Sequence, residues 1–134
     1  MKSTRTKSKW YLDSGCSRYM TGDKVKLNKF DAKDGGHVTF EDNIKGKIIG
    51  IGEIGNPQSL SIHHVLFVDS LKYNFLSISQ LYNMGNKVTF YPKNCFVSSL
   101  DEDKVIFSGE RVDNFYVIDL NKIDNKDIKC FLCY

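Results

Sequence analysis

The apolar residues of this chain come in short runs, most of them rich in Val, Ile, Phe, Tyr and Thr, and ten glycines with only two prolines punctuate them. Runs of this kind, separated by Asp-Asn, Asn-Pro and Asp-Glu-Asp steps, specify the strands of a small barrel or sandwich rather than βαβ units. The predicted strands are Lys9–Leu12, His37–Phe40, Lys45–Ile51, Leu60–Val68, Lys87–Tyr91, Cys95–Ser98, Lys104–Ser108 and Phe115–Leu120. One segment reads as helix. Between Asn74 and Met84 the apolar residues Phe75, Ile78, Leu81 and Tyr82 recur at spacings of three and four, and Gly85 follows where a C-terminal cap belongs. The fold class expected is therefore mainly β with one short helix in the C-terminal half.

A length of 134 residues, 41% of them hydrophobic, holds one domain with a real core. The domain is placed at residues 9–120. Residues 1–8 read as a basic flexible tail, and residues 121–134 as a tail or the truncated start of a following segment. A net charge of +3, from 19 basic and 16 acidic residues, argues for neither a nucleic-acid nor a membrane partner when the basic residues are scattered. No run approaches the roughly 18 apolar residues of a membrane span, and the first nine residues lack the apolar centre of a signal peptide. The expectation is a cytoplasmic protein whose four cysteines are reduced.

The sharpest chemical feature is Trp10-Tyr11-Leu12-Asp13-Ser14-Gly15, an aromatic and apolar run that ends abruptly in Asp-Ser-Gly. An aspartate leaving a hydrophobic strand on a tight turn is held by stiff backbone, the hydroxyl beside it can bond neighbouring backbone, and the glycine admits another chain closely. These are the requirements of an aspartic-protease loop, in which two carboxylates share one proton and act as base and acid. The chain offers no matching second loop. Asp69-Ser70-Leu71 has leucine where the glycine is needed, and Asp69 reads as a strand-end turn residue. A catalytic Asp13 therefore requires Asp13 of a second copy, and with it a symmetric homodimer.

The run Asp13-Ser14-Gly15-Cys16-Ser17-Arg18-Tyr19-Met20-Thr21-Gly22-Asp23 resembles the protease region of copia-type long-terminal-repeat retrotransposon polyproteins. The similarity continues through Val38–Asn43, Lys45–Gly52, Val65–Val68, Leu71–Leu81 and Arg111–Leu120, and so covers about residues 9–120. The resemblance implies a small retropepsin-like closed β-barrel that works as a homodimer, uses no cofactor or metal, and cuts extended peptide segments of its own Gag-Pol polyprotein, in the cytoplasm or in a virus-like particle. Asp13 would be the catalytic aspartate, Ser14 the hydroxyl bracing the two loops across the dimer, and Gly15 the close-approach glycine. A flap over His37–Ile51 would bind substrate through Phe40, Glu41, Asp42, Asn43 and Ile44, with its tip at Glu41-Asp42-Asn43 and Gly50-Ile51-Gly52 as the competing tip. There are three departures from the family pattern. Tyr19 stands in place of histidine, Ser77 in place of the glycine of retroviral relatives, and Glu41-Asp42 where glycines are usual. The alternative reading is a catalytically inactive β-barrel with a structural or peptide-binding role.

The remaining signals have plain readings. Cys130-x-x-Cys133 is half of a zinc site at most. His63 and His64 are adjacent on a predicted strand, so one should face in and the other out. Cys16 lacks a basic neighbour to activate it and reads as a small buried side chain. The glycines at 35–36 and 46–55 lack the strand–glycine–helix context of a phosphate cradle.

Overall fold

Trp10 is buried at the centre of the molecule because β1 (Lys9–Asp13) lies in the middle of an eleven-stranded sheet. The structure is a computed structural model that describes residues 9–39, 45–56 and 60–120. After β1 come β2 (Met20–Thr21), a 3-10 turn (Lys24–Lys26), β3 (Asn28–Ala32), β4 (His37–Thr39), β5 (Lys45–Asn56), β6 (Leu60–Val68) and β7 (Asn74–Ser77). Helix α1 (Ile78–Asn83) follows, then β8 (Asn86–Phe90), β9 (Asn94–Ser99), β10 (Val105–Val112) and β11 (Phe115–Asp119). The order across the sheet is β3-β5-β6-β2-β7-β1-β11-β10-β9-β8, with β4 paired to β5. Among the described residues no ladder joins β3 to β8, so the sheet is not closed into the expected barrel. The mainly β class with one short helix is as expected.

Two parallel pairings set the topology. β1 runs parallel to β7, matching Trp10 with Asn74 through Asp13 with Ser77, and β2 runs parallel to β6. On its other side β1 pairs antiparallel with β11, so the start and the end of the described chain are hydrogen-bonded neighbours. Alternation then decides what each side chain meets. Trp10, Leu76 and Ile118 point into the main core with Tyr19, Leu27, Val65, Leu81, Val88, Val97 and Phe107. A smaller cluster of Met20, Leu66 and Val68 packs with half-buried Cys16, Ile48 and Phe75.

The helix is shorter than its periodicity implies. Asn74–Ser77 is strand, because the β1 edge offers it four parallel pairs and Ser77 caps the helix behind it. Gly85, in the left-handed region at φ +89°, ends the helix as expected. β2 and β3 were not expected. β2 is only two residues long and β3 is mostly polar and exposed, and each exists through pairing, β2 with β6 and β3 with β5. β5 runs five residues past its expected end, through the glycines that made Gly50-Ile51-Gly52 a competing flap tip. That tip is overturned: Gly50 and Gly52 lie inside the strand, where a Cβ on Gly50 would run into the Phe30 ring and one on Gly52 would sit 2.9 Å from Leu27 Cβ. These glycines permit close packing of β3 on β5.

His63 and His64 are both exposed, against the expected in-and-out pair. A register irregularity in the β5–β6 ladder and a φ of +62° at His64 break the alternation there. His63 Nδ1 lies 2.9 Å from the Glu53 carboxylate, and that hydrogen bond lowers the Glu53 pKa.

Strand alternation in β7 has a measurable consequence. Leu76→Ala, at a side chain with 0% exposure, should cost about 3 kcal/mol, and Phe75→Ala, on the opposite face, less than half as much. Urea unfolding at unchanged slope checks this; equal costs would fit a helix through 75–76 and not the strand.

Candidate active site

Asp13 is the last residue of β1, and its partner in the parallel ladder is Ser77, the last residue of β7. Beyond this pair the sheet ends and the chain turns through Ser14 and Gly15, both exposed. The Gly15 N–H donates to Asp13 Oδ1 at 2.7 Å, which fixes the carboxylate over its own turn. Strand alternation places Asp13 on the face of β1 that also carries Tyr11, opposite buried Trp10.

That face is aromatic. The Tyr11 ring meets Tyr73 at 5.6 Å and Phe115 at 5.7 Å between centroids, both edge to face, and lies 6.4 Å from Phe75. Tyr73 and Phe115 are each 53% exposed. Rings in this number on an open sheet face form a surface suited to apolar side chains.

The chain between Asp13 and Thr21 is anchored by polar groups from β7 and α1. Of the five buried polar residues among the described ones, four belong to this anchorage: Thr21, Asn74, Ser77 and Gln80. Ser77 Oγ donates to the Cys16 carbonyl at 2.8 Å, and the Tyr19 N–H donates to Gln80 Oε1 at 2.8 Å. Thr21 Oγ1 and Asn74 Oδ1 are 2.6 Å apart, and Asn74 Nδ2 donates to the Lys9 carbonyl at 3.0 Å. Gln80 and Asn74 escaped the sequence reading. The available signal was a polar residue at each position where the apolar pattern turned inward.

Asp69 lies in the turn after β6, with two strands, β2 and β7, between β6 and β1 in the sheet order. Its role as a turn residue is as expected. Tyr19 is 3% exposed and packs in the main core. The expected flap residues Phe40, Glu41, Asp42, Asn43 and Ile44, its tip among them, lie outside the described residues, as do the expected tails and Cys130 and Cys133. The strands flanking that tip do pair, β4 with the start of β5, Thr39 opposite Lys45.

Residues 10–86 match the family described as Pol polyprotein, beta-barrel domain. This chain belongs to that family. It is 26% identical over 121 residues to the retrovirus-related Pol polyprotein from transposon RE1 of Arabidopsis thaliana, covering 85% of this chain, and 29% identical over 112 residues to that from transposon RE2, covering 80%. The chain spans about 8% of the length of these curated relatives. No solved structure matches it. The retrotransposon Pol region expected from the motifs is thus the region that the comparisons find.

Within this Pol domain the Cys16 thiolate is disfavoured. Burial, and next the Asp13 charge, push its thiol pKa up to about 12. Its Sγ lies 3.9 Å from the Asp13 carbonyl. Burial alone raises Cys95 to about 11. Both thiols keep their protons in the folded state where the unfolded chain, near the ordinary 9.0, releases them. Their contribution to stability is therefore complete below pH 9 and is lost as pH rises from 9 toward 12. The urea midpoint should fall over that range, and less steeply in a Cys16→Ala/Cys95→Ala chain. At pH 8 iodoacetamide should label either thiol at least about tenfold more slowly in native than in urea-unfolded protein. Fast native labelling of Cys16 would contradict the protonated thiol.

Proposed function

We propose that this Pol domain is one half of a retropepsin-like aspartic endopeptidase, which assembles as a homodimer and cuts the Gag-Pol polyprotein of a copia-type retrotransposon. The observation that carries this reading is the placement of Asp13: a carboxylate at the end of a central strand, gripped by the Gly15 N–H and open on a face lined with aromatic rings. Two such loops facing each other across a twofold axis bring two carboxylates together, which then hold one proton between them. The ionised Asp13 takes a proton from water as it attacks the peptide carbonyl, and the protonated one supplies a proton in turn. Ser14 braces the two loops, and Gly15 lets them approach. Tyr11, Phe75 and their neighbours receive apolar side chains of an extended peptide, and the β4–β5 hairpin covers it.

Tyr19 does not weaken this reading. Its ring fills the core and its backbone is bonded to Gln80 and to Leu66, so the departure from histidine concerns packing and leaves the Asp13 carboxylate as it is.

The test is cleavage, at about pH 5, of a polyprotein fragment carrying the chain's own flanking junctions. Asp13→Asn should reduce cleavage by at least about 100-fold. Equal behaviour of the two proteins would sink the protease and leave the inactive, peptide-binding barrel. The rate per chain should also fall on dilution through the dimer dissociation range, since a monomer holds half of the dyad.

A further inference from the structure

We propose that Ser77 is a positioning residue for the Asp13 loop, its buried hydroxyl tethering the Cys16 carbonyl so that the turn bearing the carboxylate keeps one conformation. The proposal rests on the reading of Asp13 as the catalytic carboxylate.

A serine hydroxyl has one proton and two lone pairs. The Cys16 carbonyl, 2.8 Å away, can only accept, so the Ser77 proton goes there. The Gln80 N–H, at 3.1 Å, can only donate, so it occupies one lone pair. Ser79 Oγ lies 3.0 Å away, and with the Ser77 proton already committed Ser79 must be the donor to the second lone pair. All three capacities of the hydroxyl are used, and the residue has 0% exposure. It has no other orientation without losing a bond in a buried place.

A helix cap needs only the bond from Gln80. The donation to Cys16 is additional, and its location gives it a role. The Asp13–Ser77 pair is the last rung of the β1–β7 ladder, so the backbone beyond Asp13 has no further strand partner there. Within the turn, Gly15 N–H to Asp13 Oδ1 and Cys16 Sγ to the Asp13 carbonyl are local bonds that travel with the turn itself. The Ser77 hydroxyl instead links the turn to an element 61 residues away. The other end of the loop is fixed at Tyr19 by Gln80. Ser77 and Gln80 thus hold both ends from the first turn of one helix, and glycine or alanine at 77 would keep the ladder while freeing the Cys16 carbonyl.

The experiment compares wild type, Ser77→Ala, Ser77→Thr and Ser77→Cys in the full chain, with Val97→Ala as a core variant remote from the loop. In Ser77→Ala, amide hydrogen exchange over residues 14–19 should quicken at least about tenfold relative to exchange in β9, with Ser77→Thr restoring it to within about threefold. Val97→Ala should quicken exchange without singling out the loop. Should Ser77→Ala fail to fold, Ser77→Cys keeps the shape and weakens the donor, and should lie between wild type and alanine in the loop. Loop exchange that merely follows β9 in these variants would overturn the tether and leave Ser77 a helix cap. With the polyprotein fragment as substrate, Ser77→Ala should lower kcat at least about tenfold at a KM within about twofold, and Thr should recover kcat. An unchanged kcat in Ser77→Ala, or a loss that lies in KM alone, would overturn positioning. A wild type that cleaves nothing defeats the protease reading, whereas the exchange comparison decides the tether on its own.

Discussion

The parallel ladder between β1 and β7 is the interaction on which the rest of the molecule depends. It joins segments more than sixty residues apart, buries Trp10 and Leu76 on one side, and leaves Tyr11 and Phe75 on the other. It also carries Asp13 to the last rung, at a point where backbone pairing stops. A parallel pair needs a long connection, and here the connection is β2 through β6, whose longest pairing, β5 with β6, flanks the central strands through β2. On the far side β11 closes against β1, so the chain that follows α1 protects the other edge of the same central strand.

Buried polar groups are where this fold spends its hydrogen bonds on position. Thr21, Asn74, Ser77 and Gln80 are each taken out of water and each finds a partner on the loop or strands around Asp13. Replaced by apolar residues of similar size they would leave the core about as dense, but the loop carbonyls and amides would lose their partners. Four of the five buried polar residues among the described ones gather around this one turn, while the rest of the core is almost wholly apolar. Cys16 sits in the same turn as a small, protonated, half-buried side chain.

Strand positions were legible where a run was apolar and bounded by turn residues: β1, β6, β9 and β11 lie within a residue or two of expectation, since burial on one face imposes period two on the sequence. Legibility failed where pairing rather than composition makes the strand. β2 is too short and β3 too polar to be read as strands, and the glycines of β5 look like a mobile turn until Phe30 and Leu27 are seen packed on them. The start of the helical pattern failed for the same reason, because Phe75 at helical spacing from Ile78 also suits a strand when a parallel edge is waiting. The histidine pair failed on one local irregularity that no single-sequence pattern encodes.

For the candidate site the division is similar. Sequence alone determined the mainly β class and the Asp13-Ser14-Gly15 turn at the end of a hydrophobic strand, with no matching second turn in these residues. These follow from residue types and their neighbours in the chain. Only the tertiary structure decided which groups surround Asp13. The aromatic face comes from β1, β7 and β11, and the anchoring hydroxyl and amide come from the segment around α1, all brought together by strand pairing between distant segments. Local sequence fixes what a turn can do chemically, and long-range burial fixes whether it is held still enough to do it.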